Sequence, residues 1–359
     1  MITSASNPTL ADEAVALQNA ITGTTLTSMA NLARLLHGKS PLDHKHGPAH
    51  PSEVVGARDG VKLLRYAAKA PRQGSLLVVA SLINRFYVLD LLPDVSVIDG
   101  FCKKGFDVFV LDWLPPGPAG LKRDFTDYVD NFIPWGAKEA AGGEEGGVHV
   151  LGYCMGGTMA AMFAALHPQL VKSLMLLGTP IDFHKSGMLA NFTQPHVFDA
   201  DLMVDALGNV PPTMLQAAFK AMAPSTLMNK FWDLSEKAED ADAVIHYVAV
   251  ERWLEDNISF PGGLYRPYIK GLYQANGLIT GEMVVGGHKV DLHQLTMPVL
   301  NIIGLKDTIV NPPGSHGLMP FLKQGTQIEF DTGHIGLTTS KRAQRDLWPQ
   351  VHAWALKHA

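Results

Sequence analysis

The chain has 359 residues, 47% hydrophobic and 18% charged, which is enough apolar length for a full core and too little polarity for wholesale disorder. A formal net charge of −5 gives no electrostatic footing for nucleic acid, whose binding needs clustered Lys and Arg. With only Cys102 and Cys154 no disulfide framework is expected, and Met1-Ile2-Thr3-Ser4 lacks the basic-then-apolar start of a secretory signal.

Taken in order, residues 11–36 carry Ala14, Leu17, Ile21, Met29, Leu32 and Leu35 at helical spacing. Gly38 to Pro51 mixes His, Pro and Gly and reads as a solvated linker with no metal-ligand spacing. The rhythm then turns to strands. Val61 to Tyr66 alternates, and continuous apolar runs follow at Leu76–Ala80, Val108–Leu111, Val148–Leu151, Leu174–Leu177 and Val299–Ile303. Such runs are strands buried on both faces, and helical stretches between them imply a mostly parallel, doubly wound α/β sheet. Thr326 to Phe330 reads as the last strand. A final helix is expected from Ser340 to His358, with Leu347, Val351, Trp354 and Leu356 on its buried side.

The alternation breaks once. Residues 184–291 read as helices rich in Met and aromatics, among them Met214, Met222, Met228, Trp232, Trp253, Tyr265 and Tyr273. An insertion of this size in a sheet domain is expected to be a cap, with some of these side chains lining an apolar substrate channel. The expected organisation is therefore an N-terminal helical segment and linker (1–52), a core in two parts (53–183 and 292–359), and the cap (184–291).

The strongest chemical signal is a strand, then Gly152-Tyr153-Cys154-Met155-Gly156, then a helix of small residues. This is the nucleophile elbow of the α/β-hydrolase fold with Cys154 in place of Ser. Small residues two before and two after the nucleophile let a tight turn bring backbone close to backbone. The helix start turns its positive dipole end toward the sulfur, and the Met155 N–H is placed for half of an oxyanion hole. The second donor is expected from the loop after Leu76–Ala80, at the backbone N–H of Ile83. Cys102 is read as a small core residue.

The nucleophile needs an acid and then a histidine, in that chain order. Asp307 ends the run beginning at Val299 and is favoured over Asp182, which follows the preceding strand. His334 lies in the glycine-flanked turn after Thr326–Phe330 and is favoured over His316. A cysteine at this place implies thioester exchange followed by transfer to an alcohol, with water kept out.

Several segments resemble the polyhydroxyalkanoate synthases: Ser81-Leu82-Ile83-Asn84-Arg85-Phe86-Tyr87-Val88-Leu89-Asp90-Leu91, Asp107 to Trp113, the Gly-x-Cys-x-Gly-Gly box, Gly286 to Leu292, and Gly333-His334-Ile335-Gly336. The likeness runs from Leu76 to the C-terminus and is greatest to the class III catalytic subunit, which works with a second, dissimilar subunit. It implies that Cys154 carries the growing (R)-3-hydroxyacyl chain and that His334 deprotonates the thiol. Asp307 then either assists His334 or activates the 3-hydroxyl of the incoming monomer. Also implied are an (R)-3-hydroxyacyl-CoA substrate, homodimers, and a cytoplasmic place at polyester granules. No resident cofactor is implied, coenzyme A being a product. Met155 departs from the usual Gln of class III relatives and Arg85 from the usual Lys. The rival readings are a dienelactone-hydrolase-like Cys esterase and a non-enzymatic granule-binding protein.

Overall fold

The structure is a computed structural model and describes residues 47–222 and 240–359. The helix expected over 11–36, most of the 1–52 segment, and Met228 and Trp232 lie outside the described residues. Among the described residues, 47–222 with 253–359 form one compact unit and 240–252 fall in a second. Of the second unit, the described part belongs to a helix, Ala241–Glu255.

The larger unit is built on an eight-stranded sheet. In chain order its strands begin with β1 (Glu53–Arg58), β2 (Val61–Tyr66), β3 (Gly74–Val79), β4 (Phe106–Trp113), β5 (Val148–Tyr153) and β6 (Val171–Leu177). A separate hairpin follows, β7 (Val284–Val285) and β8 (His288–Lys289), and then β9 (Val299–Gly304) and β10 (Gly325–Phe330) complete the sheet. The sheet order is β1-β2-β4-β3-β5-β6-β9-β10. β2 pairs antiparallel with β1 and β4, and every pairing from β4 through β10 is parallel. β4 is buried along its whole length and β5 and β9 likewise, as strands covered on both faces must be. β1 went unread in the sequence because Glu53–Arg58 is an exposed, bulged edge strand with no apolar alternation.

The pleat divides the sheet residues between two layers. Leu77, Val79, Leu111, Val150, Leu174 and Leu176 share one core with the helices α1 (Ile133–Ala141) and α2 (Met155–Leu166). On the other side Phe101, from the helix Val97–Lys103, meets Phe106 edge-on at 5.7 Å and Trp348 at 6.2 Å. Truncating a fully buried ring such as Phe163 to Ala would cost about 3–5 kcal/mol.

The expected C-terminal helix is two helices, Lys341–Asp346 and Trp348–Lys357. Pro349 lacks the N–H that would carry one through Leu347. Leu347 and Val351 are buried as expected, and the restart adds Trp348, His352 and Ala355 to the buried stripe, while Leu356 is exposed and Trp354 only half-buried. His50, assigned to a solvated linker, instead donates from Nδ1 to buried Asp90 at 2.7 Å.

Between β6 and β9 no described residue joins the eight-stranded sheet. The chain forms helices at Met188–Phe192, Ala200–Leu207, Pro212–Met222 and Gly262–Pro267, then a π-helical turn at Tyr268–Gln274. Leu264, Tyr268, Leu272 and Leu278 are buried in the same core as α2, so most of this region is continuous with the sheet unit. Met214, by contrast, is 40% exposed. No helix of the described residues is long and apolar enough to cross a membrane.

Candidate active site

Cys154 sits at the sharp turn between β5 and α2 with φ 54 and ψ −127. A side chain in that left-handed region costs on the order of 1–3 kcal/mol, which the surroundings must supply. Three glycines explain how the turn closes. A Cβ on Gly156 would lie 2.2 Å from the Val79 carbonyl oxygen, and one on Gly152 would lie 2.4 Å from the Gly157 Cα. One on Gly157 would lie 1.9 Å from Thr179 Oγ1. The elbow is thus wedged between the ends of β3 and β6. The Cys154 N–H donates to the Leu177 carbonyl at 2.9 Å, and the Cys154 carbonyl accepts from Gly157 at 2.9 Å, opening α2.

Asp307 follows β9 and His334 follows β10. These strands are neighbours, and their outgoing loops are stitched together by Leu305 N–H to Phe330 O at 2.9 Å and Lys306 N–H to Thr332 O at 3.0 Å. His334 Nδ1 lies 2.6 Å from Asp307 Oδ2. A carboxylate only accepts, so Nδ1 carries the proton and Nε2 is left for another partner. The other carboxylate oxygen, Oδ1, accepts the Ile309 and Val310 amides at 2.9 and 2.8 Å.

Burial is the largest influence on His334 and opposes its protonation. The charges of Asp307 and Cys154, with hydrogen bonding of the ring N–H to them, outweigh it and raise the pKa to about 10. The histidine is thus held by the carboxylate and feels the charge of the sulfur. Tyr153 stacks on the ring with centroids 5.1 Å apart and planes at 25°, and Gly178 leaves room beside Cε1.

The rivals lie elsewhere. Asp182 accepts from Asn276 Nδ2 at 2.9 Å and pairs with Lys185 at 2.9 Å. His316 pairs with Glu329 at 2.8 Å on the exposed side of β10. Cys102 is buried away from the elbow, and burial pushes its thiol up to about 12.

Met155 opens α2, where first-turn amides have no partner within the helix, while its own side chain is fully buried in the core. The Ile83 N–H is engaged, donating to Ser81 Oγ at 3.3 Å, a long bond that an oxyanion can displace. Sequence reading overlooked Tyr268. It is buried beside Tyr273, with ring centroids 5.6 Å apart, and burial holds both phenols neutral within reach of the Cys154 charge. Its only signal was Pro267 interrupting a helix at a π turn, a feature common at functional sites.

Residues 90–340 match the family described as alpha/beta hydrolase fold. The chain is 35% identical over 311 residues to the poly(3-hydroxyalkanoate) polymerase subunit PhaC of Thiocystis violacea, covering 85% of this chain and 87% of that one. The like-named protein of Allochromatium vinosum is 34% identical over 314 residues, covering 85% and 88%. That of Haloferax mediterranei is 36% identical over 315 residues, and there the chain spans 63% of the relative's length. Among solved structures, a putative lipase from Acinetobacter baumannii superposes with TM-score 0.52 at 15% identity, covering 86% of this chain and 91% of that one. A carboxylesterase of Nitrososphaera gargenis gives 0.53 at 14%, covering 86% and 100%. At such identities these two speak for the fold alone, whereas the closer sequence relatives speak for the family. This chain belongs to the poly(3-hydroxyalkanoate) polymerase family, built on the alpha/beta hydrolase fold.

Proposed function

We propose that the chain polymerises (R)-3-hydroxyacyl groups from their coenzyme A thioesters, with Cys154 as nucleophile, His334 as proton carrier and Asp307 as the group that orients His334. The observation that carries the reading is the buried Asp307–His334 pair set beside half-buried Cys154 at a strained elbow.

The thiolate of Cys154 attacks the thioester carbonyl. The oxygen takes the electron pair, facing the Met155 and Ile83 amides. Collapse breaks the carbon–sulfur bond to coenzyme A, whose sulfur takes the proton from His334 Nε2. The free 3-hydroxyl of a second hydroxyacyl group then gives its proton to Nε2 and attacks the enzyme thioester, forming an oxyester and returning the sulfur. Transfer from thioester to oxyester runs downhill. With one oxygen bound to His334 and the other to two amides, Asp307 is occupied as an orienting group, which favours that role over activation of the substrate hydroxyl. Residues 184–291 act as the cap that keeps water from the acyl-enzyme, with Tyr268 and Tyr273 on its inner side.

The class III pattern, with a second subunit, dimers and a granule surface, is part of the same reading; the relatives' designation as subunits supports the second subunit. Incubating the purified chain with 3-hydroxybutyryl-CoA tests it, reading coenzyme A release alongside polymer formed. Cys154→Ser should fold and lose most polymerisation. Near-normal polymer from that variant would overturn the thioester argument, and good turnover of small lactones without coenzyme A release would favour an esterase. Full activity of the chain alone would overturn the need for a second subunit.

A further inference from the structure

The loop leaving β3 is tied down from a distant part of the chain. Residues 253–258, the last turn of the helix Ala241–Glu255 and the segment that leaves it, run along residues 83–87 and join them at four points. Asn84 and Asn257 form an isolated antiparallel bridge whose side-chain amides are also hydrogen-bonded. Ile258 N–H donates to the Ile83 carbonyl at 3.3 Å. Trp253 Nε1–H donates to the Arg85 carbonyl at 2.8 Å, and Tyr87 Oη–H donates to Asp256 Oδ2 at 2.7 Å. Trp253, Ile258 and Tyr87 are buried while Asn84, Arg85, Asp256 and Asn257 are half-buried, so the joint is partly sheltered from water and its bonds are strengthened accordingly.

The geometry points to a strap: we propose that Trp253, Asp256 and Asn257 are positioning residues that aim the Ile83 amide at the developing oxyanion. The claim rests on the proposed acyl-transfer chemistry. The Ile83 carbonyl and amide flank one Cα, so anchoring the carbonyls of residues 83 and 85 restricts the two backbone rotations that direct the Ile83 N–H. With the strap in place that N–H donates to Ser81 Oγ at 3.3 Å, a long bond from which a charged acceptor can draw it. The strap's part is to fix the place and direction of the peptide, so that a small shift of the N–H reaches the oxyanion. The bonds lie 168 or more residues apart in sequence, which is why no local pattern announces them.

Two reactions at Cys154 separate the strap from the nucleophile. Thioester turnover passes through an oxyanion, whereas alkylation by iodoacetamide is a direct displacement and forms none. Tyr87→Phe removes only the Asp256 bond, and Trp253→Phe removes only the indole donor. Each should lower kcat for 3-hydroxybutyryl-CoA roughly tenfold, less than the ~10²–10³ seen when an oxyanion donor is deleted. KM and the alkylation rate should stay within twofold of wild type and the melting temperature should hold, and Asp256→Asn, which keeps an acceptor for the phenol, should retain most of the rate. Unchanged turnover in both Phe variants, or turnover and alkylation falling together, overturns the strap. Failure of the nucleophile reading looks different: wild-type turnover would survive Cys154→Ala.

Discussion

Asp307→Asn tests the relay most sharply, because it removes one charge and little volume. In the native site His334 is raised from 6.5 to about 10, which favours the imidazolium. Burial works against that charge, so the two anions beside the ring must outweigh it. Without the carboxylate, burial governs and the ring stays neutral at pH 7. An amide at position 307 would still accept from Ile309 and Val310, so the loop should keep its shape. Its NH₂ would then face Nδ1 and drive the ring proton to Nε2, where it can no longer receive one from the thiol. In serine triads that exchange costs ~10⁴ in kcat, and a loss of at least ~10³ is expected here. Iodoacetamide labelling of Cys154 at pH 6.5 should fall at least a hundredfold while the melting temperature holds. If the variant labels and turns over within threefold of wild type, the carboxylate is not what sets the state of His334, and the relay is wrong.

Two further outcomes follow from burial elsewhere. Gly157→Ala should destabilise by about 1–3 kcal/mol and lose activity beyond that, because its Cβ would meet Thr179, itself fully buried. Adding Thr179→Ala should restore much of the thermal stability, and a single Gly157→Ala variant that melts and turns over normally would contradict the close approach. His149 and His352 are held neutral mainly by burial, each lowered to about 4 from 6.5, with Lys172 and Lys104 adding to the effect. The unfolded chain takes up protons that the folded chain refuses, so stability falls as pH drops below 6.5 and levels off only below about 4. At pH 5 each site should have lost about 2 kcal/mol relative to pH 8. Urea denaturation at the two pH values should show that loss in the wild type and a much smaller one in a His149→Gln, His352→Gln double variant.

The candidate site was legible where chemistry sits at the end of an apolar run. Cys154, Asp307 and His334 each follow a strand whose buried residues stand out in the sequence, and the elbow's glycines advertise a close approach. Adjacency was not legible. Asp182 and Asp307 both follow strands, and nothing local separates them. Only the sheet order, with β6, β9 and β10 side by side, sets the Asp307 loop against the His334 loop, while Asp182 turns to Asn276. The same blindness hid the His50–Asp90 pair and the strap on residues 83–87, which join polar groups far apart in sequence. It also hid Tyr268, whose place follows from a π turn. The C-terminal misreading differs in kind: Pro349 was visible and signalled a new helix with an altered buried stripe. Apolar periodicity reports what each element buries, whereas the site depends on which strand ends stand next to one another. In this chain the relay is a consequence of strand order: exchanging β9 for any other neighbour of β10 would leave all three residues at the ends of strands and separate them.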